Sequence, residues 1–359
     1  MPAAAPRTAA PSMATTLLLI GAATAFRCLC ILRLCPYTLA EDEAHYWEWS
    51  RRLDWSYYSK GPGIAWTIAA SEWVARRLGV PESEAAVRLS APFWSALVAL
   101  GIALLARAVT RNARAVFFSV LLLVLTPVYQ LAGMMLMIDI PFIAMWSLAM
   151  WLGWLVLREG SRWAWIGLGA AIGAGFIFKY TILLLPPGLI ACAMCLRNDL
   201  TMATKWRRWS AAGASIAALG VLPVLIWNAQ NHWPTVRHLL GHLGLTEAGG
   251  GDIPDLLRKP WEYNPGWMLR YVGGQVGLML PTSLLMGLAL WNARTRKAHG
   301  QARRGSPVPP EPDGQLFLVL LAAPALLFYF VVSLVTEVEA NWPAASYLSL
   351  FVQIGRAHV

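Results

Sequence analysis

The chain has 359 residues, 57% of them hydrophobic and only 13% charged, with a mean hydropathy of +0.51 and a formal net charge of +10. A soluble domain carries about 25% charged residues, so a soluble enzyme is excluded and an all-α polytopic membrane protein is expected. The basic residues stand in short loops between apolar runs, which fits topology signals and anionic headgroups rather than nucleic acid.

In chain order, residues 1–15 are small and polar, and 16–35 form the first apolar run. That run carries Arg27 and Arg33 and lacks a small-residue cleavage site, so it reads as a retained span rather than a signal peptide. Further spans are predicted at 87–109, 115–133, 140–157, 163–178, 181–196, 210–227, 267–291 and 316–336, with a last one beginning near 343. The basic loops 111–114, 158–162, 197–208 and 294–304 follow every second span and are expected to face the cytoplasm. The intervening segments 36–86, 134–139, 179–180, 228–266 and 337–342 then face outward.

Residues 163–196 test this parity. One helix of that length would measure about 51 Å, too long for a bilayer without strong tilt. Two short spans with a hairpin at Lys179 keep both later basic loops inside. The outer loop 36–86 includes residues 62–78, an amphipathic stretch expected to form either a helix in the outer interface or an ordinary buried helix, with Ile64, Ile68 and Trp73 on one face. Cys28, Cys30, Cys35, Cys192 and Cys195 lie in or beside apolar runs and read as span residues, with no structural disulfide expected. The glycines of 167–175 sit inside an apolar span, where close helix packing is the better reading than phosphate binding. The domain is taken to run over 1–352. Residues 353–359, "QIGRAHV", read as a non-native tail on an interrupted chain and are left out of the fold argument.

The unusual charges all fall on outward segments: Asp42, Glu43, Lys60, Asp139, Lys179 and Glu339. Ionisable residues at such depth are costly and mark function. Asp42 and Glu43 are adjacent and point apart in any regular element, so one can face a cavity while the other braces the loop. A partly desolvated acid can take a proton from a hydroxyl or hold a hard cation. His45 stands beside these acids as an interface histidine or a ligand, with Tyr46 next to it. Lys60 precedes Gly-Pro-Gly, a turn that would fix its ammonium for a lipid phosphate. Asp139 is a lone acid two residues before Pro141, placed to cap the next helix. Lys179 is a second cation for phosphate, and Arg88, at the outer start of a span, a weaker one. Many charged spans would also suit a transporter or lipid flippase. No internal repeat is visible, however, and the charges gather on one face.

The segment "DEAHYWEWSRRLDWSYYSKGPGIAW" resembles the first outer loop of the dolichyl-phosphate-mannose–protein mannosyltransferase-like family, whose bacterial branch includes aminoarabinose transferases. "MLMIDIPFIAMW", "GFIFKYTILLLPP", "PVLIWNAQNHWPTVRHLL" and "EVEANWPAASYLSL" resemble later segments of the same family, in the same order. The resemblance implies a GT-C transmembrane helix bundle with interface helices in its first outer loop. It also implies a polyprenyl-phosphate-linked sugar donor, a lipid, glycan or protein acceptor, and a site on the periplasmic face of the bacterial inner membrane. Asp42, with Glu43 beside it, takes the catalytic acidic position, Lys60 the donor-phosphate position and Asp139 the second acidic position. His45, Tyr46 and Glu339 are candidate substrate or metal contacts, and a divalent cation is left open. The aminoarabinose branch carries Arg where His45 stands, which leaves the sugar and the acceptor open.

Overall fold

The structure, a computed structural model, describes residues 11–196, 200–242, 264–280, 284 and 312–357. Those residues are helical wherever they are regular. Helix α1 (Met13–Leu29) continues through a π turn at Cys30–Leu34, and α2 (Glu41–Ser50), α3 (Gly63–Arg77) and α4 (Glu84–Arg88) build the first outer segment. Then come α5 (Ala91–Thr110), α6 (Ala113–Leu125), α7 (Pro127–Ala132), α8 (Asp139–Glu159) and α9 (Arg162–Phe178). A 3-10 turn at Tyr180–Leu184 leads into α10 (Leu185–Cys195), followed by α11 (Leu200–Gln230) and α12 (Pro234–His242). Helices α13 (Pro265–Leu278), α14 (Pro312–Val332) and α15 (Leu348–Ala357) complete the described chain. Five stretches among the described residues are long and apolar enough to cross a bilayer: Met13–Leu34, Glu84–Thr110, Asp139–Glu159, Trp209–Gln230 and Asp313–Val332.

The hairpin at Lys179 forms as the length argument requires. Lys179 is extended (φ −150°, ψ 121°), and Pro186 and Pro187 sit in the first turn of α10, where their missing amides cost nothing. The third predicted span breaks at Thr126, because Pro127 opens a new helix there. The predicted span 267–291 is seen only as α13; most of its second half, and the basic loop 294–304, lie outside the described residues. Residues 353–357, set aside above, continue α15, with Ile354 buried.

Helices α5, α8, α9 and α11 pack in succession, α1 lies against α5, and α15 against α6. Trp146 and Met150 of α8 are fully buried at the centre. Small residues let backbones meet: a Cβ at Gly169 would strike the Gly213 backbone, and one at Gly220 the Gly173 backbone. A helix forms over the predicted stretch as α3, which buries Ile64, Ile68, Ser71 and Ala75. Trp73 is the exception to that expected face. It is 54% exposed, and Arg77 lies over its ring at 4.9 Å.

Candidate active site

The outward segments converge at one end of the bundle. The first outer loop reaches α11 and α12: Trp227 Nε1 donates to Asp54 Oδ2 (2.8 Å), and Thr235 Oγ1 donates to the carbonyl of Tyr57 (2.9 Å). The loop before α8 reaches α2, since the Leu136 amide donates to Glu43 Oε1 (2.9 Å). Asp139 Oδ1 pairs with Lys179 Nζ at 2.7 Å, and its Oδ2 accepts from Asn341 Nδ2 at 3.3 Å. At the opposite end Arg158, at the close of α8, meets Asp313, at the start of α14. This division of ends is the one the basic loops predict.

The site is built on two turns. The first acids of α2 suit a helix N-terminus, where the macrodipole favours negative charge. Glu43 accepts the Ala40 amide (3.0 Å) and is itself fully buried. It also takes Arg88 in a fork, Nε at 2.9 Å and Nη2 at 2.6 Å. The remaining Arg88 hydrogens go to Cys35 Sγ and the carbonyls of Tyr37 and Thr38. A guanidinium has five N–H donors, and all five are engaged. Arg88 therefore holds no phosphate, and Glu43, with four donors on its carboxylate, is no base. Both expectations give way to one buried brace that fastens the loop to the second span. Burial alone would push the Glu43 carboxyl up, but Arg88 and the two backbone amides hold it below the usual carboxylate range.

Bracing Glu43 turns Asp42 outward on the same helical turn, exposed. Tyr46, one turn on, is buried. Burial first, then the charges of Asp42 and Asp139, push its phenol up, so it stays protonated and can donate. His45 is exposed and meets the Trp49 ring edge-on at 4.4 Å. Glu339 is exposed, and its segment reaches the site through Asn341 instead. Nothing in residue type singled out Asn341. Its signal is its place beside Glu339, in "EVEANWP".

Lys60 stands on the second turn. Its carbonyl accepts the Tyr57 amide (3.0 Å), and the following Gly61 lies so close to the Ile177 carbonyl that a Cβ there would clash. A Cβ on Gly63 would likewise fall 2.7 Å from the Phe178 ring. Gly-Pro-Gly is thus clamped to the last turn of α9, and Lys179 is the next residue. This contact is why two lysines distant in sequence meet. Burial, then the charge of Lys179, pushes the Lys60 ammonium below the ordinary lysine range, with Asp139 and Asp42 pulling back. Among the described residues Lys60 has no ion-pair partner. Asp139 opens α8 as its first residue, and Ile138 is the cap without a side-chain bond. The capping expectation fails because both carboxylate oxygens are spent on Lys179 and Asn341.

The described residues do not fit a divalent cation. They include no group of three metal-ligating side chains, Glu43 is saturated by donors, and Asp139 is shared between two.

Residues 59–227 match the family described as dolichyl-phosphate-mannose-protein mannosyltransferase. The lipid A galacturonosyltransferase RgtD of Rhizobium johnstonii is 26% identical over 314 residues, covering 86% of this chain and 58% of that protein. The crystal structure of ArnT from Cupriavidus metallidurans bound to undecaprenyl phosphate gives a TM-score of 0.69 at 18% identity, over 96% of this chain and 60% of ArnT. The apo oligosaccharyltransferase of Archaeoglobus fulgidus gives 0.52 at 12% identity, over 95% of this chain and 50% of that one. The family match covers just under half of the chain, and the solved structures share its fold. Its bundle is the GT-C bundle expected from the motifs. The chain spans about three-fifths of the length of RgtD and of ArnT.

Proposed function

We propose that this GT-C chain transfers a sugar from a polyprenyl-phosphate donor to a lipid or glycan acceptor, at the periplasmic face of the bacterial inner membrane. The observation that carries this reading is the meeting of Lys60 and Lys179 beside Asp139 and Asp42, at the end of the bundle away from the basic loops. The similarity to a lipid A galacturonosyltransferase, and to an ArnT structure holding undecaprenyl phosphate, supports a lipid A-type acceptor and a polyprenyl-phosphate donor.

In this reading Asp42 takes the proton of an acceptor hydroxyl. The hydroxyl oxygen attacks the anomeric carbon as the bond from that carbon to the phosphate oxygen breaks. The polyprenyl phosphate leaves with the electron pair, and the configuration inverts. Lys60 neutralises the charge that develops on the phosphate. Asp139 holds Lys179 in place, so Lys179 adds to the field while Lys60 makes the contact. Tyr46 stays protonated beside Asp42 and orients the acceptor. His45 lies at the edge of the acceptor's approach.

The test is transfer of labelled sugar from a polyprenyl-phosphate donor in membranes carrying the protein. Asp42→Asn is expected to lower turnover about 10²- to 10⁴-fold, the usual worth of a general base. Melting should not change, because Asp42 is exposed. Near-normal turnover in that variant would remove Asp42 from the mechanism.

A further inference from the structure

A cavity of about 620 Å³ opens at the end of the bundle opposite the site, between the closing turns of α5 and α8. It is lined by Arg107, Arg111, Arg158 and Glu159, with Trp151 and Trp154 one turn apart on α8, and by the smaller Leu104 and Ala108. That volume is within the range of small-ligand sites. Three arginines face one carboxylate here. Arg158 is committed to Asp313 at 3.0 Å and lies over the Trp154 ring at 5.0 Å. Arg107 and Arg111 have no ion-pair partner among the described residues.

Arg111 adds a second observation. It ends α5 in the left-handed conformation, φ 52° and ψ 23°. At the matching end of α8 that conformation belongs to Gly160 (φ 59°). A left-handed non-glycine residue carries a steric cost. Here the cost comes with a guanidinium set on the cavity rim, where a glycine would have ended the helix without it.

We infer that this cavity is a binding site for the headgroup of an anionic phospholipid of the inner leaflet. The arginines take the phosphate, Arg107 and Arg111 being the two not already paired with an acid. Ala108 lies between the two arginines, and Leu104 lies about one turn before Arg107 on α5, toward the bilayer, where the glycerol and first methylenes would pass. The tryptophans suit the boundary between headgroup and acyl chain, and basic pockets between spans on the cytoplasmic side are known to suit such headgroups. The occupant would tie together α5 and α8, whose outer ends follow Arg88 and begin with Asp139. The inference is independent of the sugar-transfer reading.

The test is native mass spectrometry of the delipidated full chain, offered phosphatidylglycerol, phosphatidylcholine or inorganic phosphate. Phosphatidylglycerol should be retained over phosphatidylcholine. The double variant Arg107→Gln/Arg111→Gln should weaken retention about 30-fold, from the surface worth of two arginines. Arg114→Gln, which lies outside the cavity, should retain the lipid as wild type does. Equal retention of phosphatidylcholine, equal loss in Arg114→Gln, or full displacement by millimolar inorganic phosphate would each overturn the proposal. The last outcome would make it a free-anion site. An unchanged melting temperature in the double variant separates lost binding from lost folding.

Discussion

Lys60 is the residue whose chemistry is most exposed to test. Burial and the neighbouring Lys179 both disfavour its charge, and only the protonated form attracts a phosphate. The sign follows directly. As pH rises, Lys60 loses its proton earlier than an ordinary lysine, and donor affinity falls with it. The donor KM of wild type should therefore climb at alkaline pH below the usual lysine range. Lys60→Arg, whose guanidinium stays charged throughout, should flatten that limb even if its KM is worse at neutral pH. Lys60→Ala should raise the donor KM at every pH and remove the limb. A wild-type KM that is flat to pH 10 would remove Lys60 from the phosphate. The sequence pointed to Lys60 because it is a lone cation before a Gly-Pro-Gly turn, and to the Asp42–Glu43 pair because these acids follow directly after an apolar run. It did not distinguish Asp42 from Glu43, because adjacency in a chain does not reveal which side chain meets a buried arginine forty-five residues away.

At the scale of elements, two clamps hold the site, and they fail differently. The Glu43–Arg88 brace joins α2 to the start of the second span. Removing one partner of a buried pair leaves a stranded charge and costs about 3–5 kcal/mol, whereas an apolar pair can be nearly neutral. Arg88→Met should thus lower the melting temperature in detergent more than Glu43→Leu/Arg88→Met does. Equal melting of the two would mean the pair is not the brace. The pH sign also follows. The Glu43 carboxyl is held low in the folded state, so its contribution is present above the unfolded carboxylate pKa and is lost as pH falls through the lowered value. Glu43→Gln should erase that acid limb. The second clamp is the Gly-Pro-Gly turn on the end of α9. Gly61→Ala must push the turn away from Ile177, which carries Lys60 away from Lys179. Donor affinity should fall about tenfold or more while the bundle, which packs elsewhere, melts within a few degrees of wild type. The tight turn was legible in the sequence, but its partner was not. Glycine announces close approach without saying to what, and only the folded α9 supplies the Ile177 carbonyl.

For the whole molecule, the sequence was most informative where one rule applied along the full length. Span length and the alternation of basic loops yielded the bundle, the hairpin at Lys179 and the separation of the two ends. It was least informative where polar atoms are satisfied one by one, as when Asn341 rather than Glu339 completes Asp139. The proposed orientation can be tested with the chain's own thiols. Cys35 is exposed in the first outer loop, and Cys195 is exposed at the end of α10, just before the basic stretch 197–208 in the sequence. Cys28 and Cys30 lie in the first span, and Cys192 is buried. A charged maleimide that cannot cross the membrane should therefore label intact spheroplasts at Cys35 alone, and Cys35→Ser should abolish the signal. After permeabilisation Cys195 should react as well, and Cys195→Ser should remove that increment. Labelling of Cys195 before permeabilisation would invert the molecule. The lysine pair would then face the cytoplasm, where the proposed periplasmic transfer cannot occur, and the arginine-lined cavity would face the outer leaflet.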